Sequence, residues 1–143
     1  MKYQKSSHVT YDVRYHVVWI TKYRNPVLTE EIQKRLEEIL KLTCYKIWAI
    51  PLKIGFEEDH IHMYVRLPIT KPISAVVQYL KWKSSFIIRK EFYKELKKWY
   101  WNCEHLWAVW FFAASVWEIN WETIAKYVEQ QWKEENEATE VEL

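Results

Sequence analysis

The sequence predicts an α+β domain of the ferredoxin-like, split β-α-β kind: a four-stranded antiparallel sheet, helices on one face, and a further C-terminal helix. Three observations carry this. Residues 11–21 and 60–67 alternate with period two, as half-buried strands do. Residues 32–40 and 73–87 place apolar side chains at helical spacing. The two kinds of segment follow one another as β-α-β-β-α-β before a last helix.

In the first strand, Tyr11, Val13, Tyr15, Val17 and Trp19 alternate with Asp12, Arg14, His16, Val18 and Ile20. β-Branched and aromatic residues dominate both sets, which suits a pleated surface. Lys22-Tyr23-Arg24-Asn25-Pro26 is a basic turn. Thr29 offers an N-cap, with Glu30 and Glu31 favourably placed in the first helical turn. Ile32, Leu36, Ile39 and Leu40 form that helix's buried stripe, and the helix is expected to end near Cys44. A second strand is predicted over 46–56, with Pro51 marking an edge or bulge. Residues 55–59 then turn into the third strand. Pro72 suits the first turn of a second helix, whose apolar positions are Ile73, Val77, Leu80 and Ile87. Residues 106–116 are apolar and aromatic on both sides, which predicts a central fourth strand. Asn120 caps the last helix, which carries Glu122, Ile124, Ala125, Tyr127, Val128 and Gln131.

A chain of 143 residues is one domain of ordinary size. No apolar run approaches the ~18 residues of a membrane span, and the first residues lack the apolar stretch of a signal peptide. A cytoplasmic location is expected. Cys44 and Cys103 are too few for a disulfide framework and lack metal-ligand spacing, so buried thiols are expected. The net charge of +2 is unevenly spread, because five glutamates fall within residues 134–143. The chain therefore divides into a folded, basic body over 1–133 and an acidic, disordered tail over 134–143. A basic body suits a polyanionic partner, although mixed surface charge reads equally well.

The chemistry centres on Glu58-Asp59-His60-Ile61-His62-Met63-Tyr64-Val65-Arg66-Leu67. His60, His62, Tyr64 and Arg66 share one face, and residues two apart on a strand sit roughly 6.5 Å apart. Two imidazoles so placed converge on one ion; alone, the spacing equally describes two surface histidines. Tyr127 and Gln131, four apart on a helix, lie on one face. Taken alone, Tyr127 reads as a packed ring with a wet hydroxyl.

The combination is more specific. The strand Asp-His-Ile-His-Met-Tyr (59–64) follows a hairpin, Leu106-Trp107 opens the last strand, and Lys126-Tyr127-Val128-Glu129-Gln130-Gln131 closes the domain. With Tyr15-His16-Val17-Val18-Trp19-Ile20-Thr21-Lys22-Tyr23-Arg24 and Lys81-Trp82-Lys83-Ser84-Ser85, this order resembles the TnpA-like single-tyrosine HUH transposases over residues 11–131. The resemblance implies a divalent ion, Mg²⁺ or Mn²⁺, held by His60, His62 and Gln131, a ligand set such ions accept. It implies Tyr127 as the nucleophile, a covalent 5′-phosphotyrosine intermediate, and single-stranded DNA hairpins as substrates. It also implies a homodimer in which the tyrosine helix of one subunit can complete the site of the other. Candidate DNA contacts are Lys22, Arg24, Lys81, Lys83 and Arg89 at phosphates and Tyr23 at bases. Two alternatives are a domesticated relative acting on repeated genomic hairpins and a non-catalytic nucleic-acid binder on the same scaffold.

One composition figure is abnormal. The chain has one glycine and ten tryptophans, where ~7% usage gives about ten glycines. Trp82 and Trp117 stand where the resembled family has glycine; Trp99, Trp101, Trp110, Trp121 and Trp132 are also unexpected, whereas Trp19 and Trp107 fall at family tryptophans. One cause accounts for both anomalies: UGA codons that the source cell reads as glycine and that stand as tryptophan in this chain. UGG codons at 82 and 117 would refute it.

Overall fold

The computed structural model describes residues 3–5 and 8–116. The calls on Trp117, Trp121, Trp132, Tyr127, Gln131, the last helix and the acidic tail all lie outside them. Two short strands, β1 (Gln4–Lys5) and β2 (Thr10–Tyr11), pair as an antiparallel ribbon that the sequence pattern did not foresee, having counted Tyr11 as the start of the next strand. That strand, β3 (Val13–Ile20), ends in a 3-10 turn over Lys22–Arg24. Helix α1 (Glu30–Lys46) starts where expected, with the Thr29 hydroxyl accepting the Ile32 N–H at 3.4 Å. It runs two residues past Cys44, so β4 (Ile50–Phe56) begins later than predicted. β4 is the edge strand that Pro51 foretold, with its register shifting between Pro51 and Lys53. Gly55 belongs to β4 rather than to the turn, which is confined to Glu57–Asp59 and closed by the Glu57 N–H to the His60 carbonyl. Beyond it lie β5 (His60–Leu67), α2 (Ile73–Glu91), the short α3 (Tyr93–Lys97) and β6 (Phe112–Ser115).

The sheet order is β4-β5-β3-β6, all antiparallel. This is the predicted split β-α-β sheet, with one correction: β6 is an edge strand, not a central one. Leu106 and Trp107 turn into the core, and the backbone of Trp107 pairs only as an isolated bridge, to Thr21 just beyond β3. Val109, Trp110 and Phe112 are exposed. The apolar character of residues 106–116 therefore serves a plug into the core and an open edge, not burial on both faces.

The core lies between one face of the sheet and the helices. Val17, Trp19, Ile61, Met63, Val65 and Leu67 point into it from the strands, Leu36 and Leu40 from α1, and Val77 and Leu80 from α2. Trp19 and Trp107 meet edge to face at 5.9 Å, and the Trp107 indole N–H donates to the Ser84 hydroxyl at 3.0 Å. No described helix is long and apolar enough to cross a membrane.

Candidate metal and nucleic-acid site

Because one face of β5 is buried, alternation forces His60, His62, Tyr64 and Arg66 onto the opposite, polar face. The register sets Ile20, Val18, His16 and Arg14 of β3 opposite them in turn. The two predicted ligands are together: the His60 and His62 rings lie 5.9 Å apart with 35° between their planes.

Each ring is held by something outside the pair. Asp59 Oδ1 lies 2.8 Å from His60 Nδ1. The His60 hydrogen bond, then Arg24 at 3.3 Å, keeps the Asp59 carboxyl below the usual carboxylate range. An ionised Asp59 only accepts, so His60 Nδ1 donates in this bond and Nε2 is the atom left to meet a metal. His62 lies over Gly55, its partner on β4, where a Cβ would fall 2.5 Å from Nε2 and 2.8 Å from Nδ1. The chain's single glycine thus makes the room that His62 occupies. Burial, then the neighbouring His60 and His16, holds the His62 imidazole below the usual histidine pKa; Lys53 adds to this and Glu57 opposes it. The ring is neutral near pH 7, the form that binds metals.

These features fit a divalent cation at His60 and His62: two imidazoles, one oriented by a carboxylate, the other given space by a glycine. Among the described residues no third histidine, cysteine or acid joins them. The predicted third ligand Gln131 and the nucleophile Tyr127 lie outside the described residues.

The candidate DNA contacts divide by what their side chains already do. Tyr23 is 76% exposed, Lys22 Nζ sits 5.2 Å from its ring centre, and Arg24 is exposed beside Asp59. Lys83 Nζ lies 5.8 Å from the centre of the exposed Trp82 ring. Lys81, by contrast, donates to the carbonyls of Ala108, Val109 and Trp110 at 2.6, 3.3 and 3.2 Å. Arg89 donates to the Cys103 carbonyl at 3.2 Å and to Ser85. Both line a cleft of about 340 Å³ with Trp82 and His105, but they also tether the 103–110 segment to α2. Sequence reasoning passed over Asp59, Gly55, His16 and Lys53. Only Asp59 had a local signal, its place directly before His60.

With this geometry in view, the class of the protein follows: the chain belongs to the IS200-like transposase family, whose model, "Transposase IS200 like", matches residues 9–131. Among its relatives is the transposase for insertion sequence element IS200 of Salmonella typhimurium, 30% identical over 90% of this chain and 83% of the relative. The ISDra2 transposase TnpA of Deinococcus radiodurans is 28% identical over 92% of each. A crystal structure of a Deinococcus radiodurans protein described as a transposase superposes with a TM-score of 0.73 at 26% identity, covering 90% of this chain and 97% of that one. A tyrosine transposase bound to a REP hairpin shares the fold, with a TM-score of 0.50 at 13% identity over 90% of this chain and 68% of that one. The protein is a transposase that acts on DNA.

Proposed function

We propose that this transposase cleaves and rejoins single-stranded DNA through Tyr127, assisted by a divalent cation, Mg²⁺ or Mn²⁺, at His60, His62 and Gln131. The observation that carries the reading is the His60–His62 pair, oriented by Asp59 and given room by Gly55. When bound, such an ion polarises the scissile phosphate and offsets the charge that develops on it. The phenolic oxygen of Tyr127 loses its proton and attacks phosphorus; the bond to the 3′-oxygen breaks, and that oxygen leaves as a hydroxyl after taking up a proton. The product is a 5′-phosphotyrosine and a free 3′-end. A later 3′-hydroxyl reverses the step without ATP, because the phosphodiester energy is kept in the tyrosine ester.

Hairpins at the ends of the mobile element are the proposed targets. Lys22, Arg24 and Lys83 would neutralise phosphates, Tyr23 would stack on a base, and Lys81 and Arg89 would present the wall of the neighbouring cleft. One nucleophilic tyrosine per chain favours a homodimer, since two strands are exchanged. The test is to incubate the protein with single-stranded hairpins and Mn²⁺ or Mg²⁺, then run a denaturing gel. A covalent protein–DNA adduct, absent in Tyr127→Phe, is expected. An adduct that survives Tyr127→Phe refutes the nucleophile, and binding with no adduct across many hairpins favours a non-catalytic binder.

A further inference from the structure

We propose that His16, with Lys53 and Tyr64, is a positioning group that holds the phosphodiester flanking the scissile one; this rests on the function proposed above. On the polar face of the sheet, a cleft of about 410 Å³ is lined by His16, Lys53, His62, Tyr64 and Val116. Four strands or their ends contribute, so the lining is fixed by register rather than by one loop. His16 pairs with Tyr64 and sits diagonally from His62, with ring centres 6.3 Å apart and planes at 62°. It lies on the side of His62 away from His60, because His60 is opposite Ile20, four residues further along β3. His16 therefore belongs to the space beside the metal-binding pair rather than to the pair.

The chemistry of the lining selects an anion. Lys53 brings an ammonium and His16 an imidazole. The Tyr64 oxygen already accepts from Arg14 Nη1 at 3.2 Å, so its own O–H is left to donate. Among the described residues no carboxylate lines the cleft; Glu57 is the acid that acts on His62. A strand with one phosphate at His60 and His62 would lay its neighbouring phosphate among these donors. Holding that second phosphate fixes the angle at which the scissile one meets its nucleophile.

The experiment measures binding of hairpin-bearing single strands by fluorescence anisotropy, with one neutral methylphosphonate moved along the strand linkage by linkage. Wild type should show one linkage where neutralisation weakens binding about tenfold, the scale of a charge-assisted hydrogen bond. In His16→Ala and Lys53→Ala the penalty at that linkage should shrink, and His16→Gln, which keeps a donor, should restore part of it. Mn²⁺ affinity should stay unchanged in His16→Ala. Equal penalties in all proteins, no such linkage, or a tenfold loss of Mn²⁺ affinity in His16→Ala would overturn the proposal. If the adduct still forms in those cases, this inference alone has failed; a linkage effect without any adduct supports His16 and removes the phosphotyrosine chemistry instead.

An independent observation concerns Trp48. After α1, the Ala49 N–H bonds the Cys44 carbonyl at 2.9 Å and the Trp48 N–H bonds the Tyr45 carbonyl at 3.3 Å, with Trp48 at φ 64°. This is a Schellman C-cap, complete with the buried Ala49 beside the buried Cys44, and Trp48 occupies its left-handed position, where glycine is preferred. Tyr23, Arg24 and Cys103 also have positive φ, so the sign alone decides nothing. The indole adds no packing, being 80% exposed. Burial sorts the described tryptophans the same way: Trp19 and Trp107 are buried, whereas Trp48, Trp82, Trp99, Trp101 and Trp110 are exposed. The geometry assigns position 48, which the sequence pattern did not single out, to the set encoded by UGA and read as glycine. The gene should carry UGA there and UGG at 19 and 107. Trp48→Gly should raise the melting temperature by about 2–4 °C. UGG at 48, or a lower melting temperature in Trp48→Gly, overturns it.

Discussion

The His62 imidazole rests on Gly55, across the β4–β5 ladder, at a separation that leaves no room for a β-carbon. Gly55→Ala must push the ring aside while leaving the strand intact. Calorimetric titration with Mn²⁺ should show affinity falling by about 10- to 100-fold with an unchanged circular dichroism spectrum. Unchanged affinity would mean that His62 is not a ligand.

Asp59 holds His60 from the other side of the pair. Asp59→Ala frees the ring to rotate and to change tautomer, so a loss of about 10- to 100-fold in Mn²⁺ affinity is expected. Asp59→Asn, which still offers an acceptor, should lose less. The exposed Arg24–Asp59 ion pair contributes little to stability, so both variants should melt close to wild type.

Ser84 is fully buried between Trp107 and its own helix: its hydroxyl donates to the Leu80 carbonyl at 2.6 Å and accepts from Trp107. Ser84→Ala strands a buried indole N–H and should cost about 1–3 kcal/mol in urea denaturation. Adding Trp107→Phe removes the stranded donor, so the double variant should lose less than the two single losses combined.

Alkali should unfold the protein in a defined window. Burial pushes the Cys44 thiol up to about 12, and burial likewise leads in pushing the Tyr100 hydroxyl up to about 12. The unfolded chain ionises them near about 8.5 and about 10. Both groups keep their protons longer when folded, so their contribution is complete below about pH 8.5 and is lost as pH rises through about 12. Melting temperature should fall across that window, with a shallower slope in Cys44→Ala. A native-state thiol titration should find both buried cysteines unreactive.

The fold was legible where a single segment carries its own signal. Thr29 announced α1, Pro51 announced an edge, and alternation over residues 60–67 put both histidines on the polar face. What escaped needed pairing between distant segments. His16 becomes a neighbour of His62 only once β3 is set against β5, and Gly55 lies beneath His62 only once β4 is in register. The run 106–116 misled because its apolar side chains split between the core and an exposed edge, a division that hydrophobicity alone does not encode. Lys81 looked like a free cation because nothing near it in sequence revealed the three carbonyls it serves.

The last described residue, Val116, is pinned to β3 by its N–H bond to the Arg14 carbonyl and stands at the lip of the cleft beside His62. Tyr127 follows eleven positions later, a leash of at most about 40 Å. If Tyr127 is the nucleophile and serves its own subunit's site, that bounded span keeps its effective concentration there independent of bulk dilution. Adduct formation would then be first order in protein. If tyrosines instead serve the neighbouring copy's site, the rate should fall away on dilution below the dimer's dissociation constant, so the kinetic order reports which subunit supplies the tyrosine.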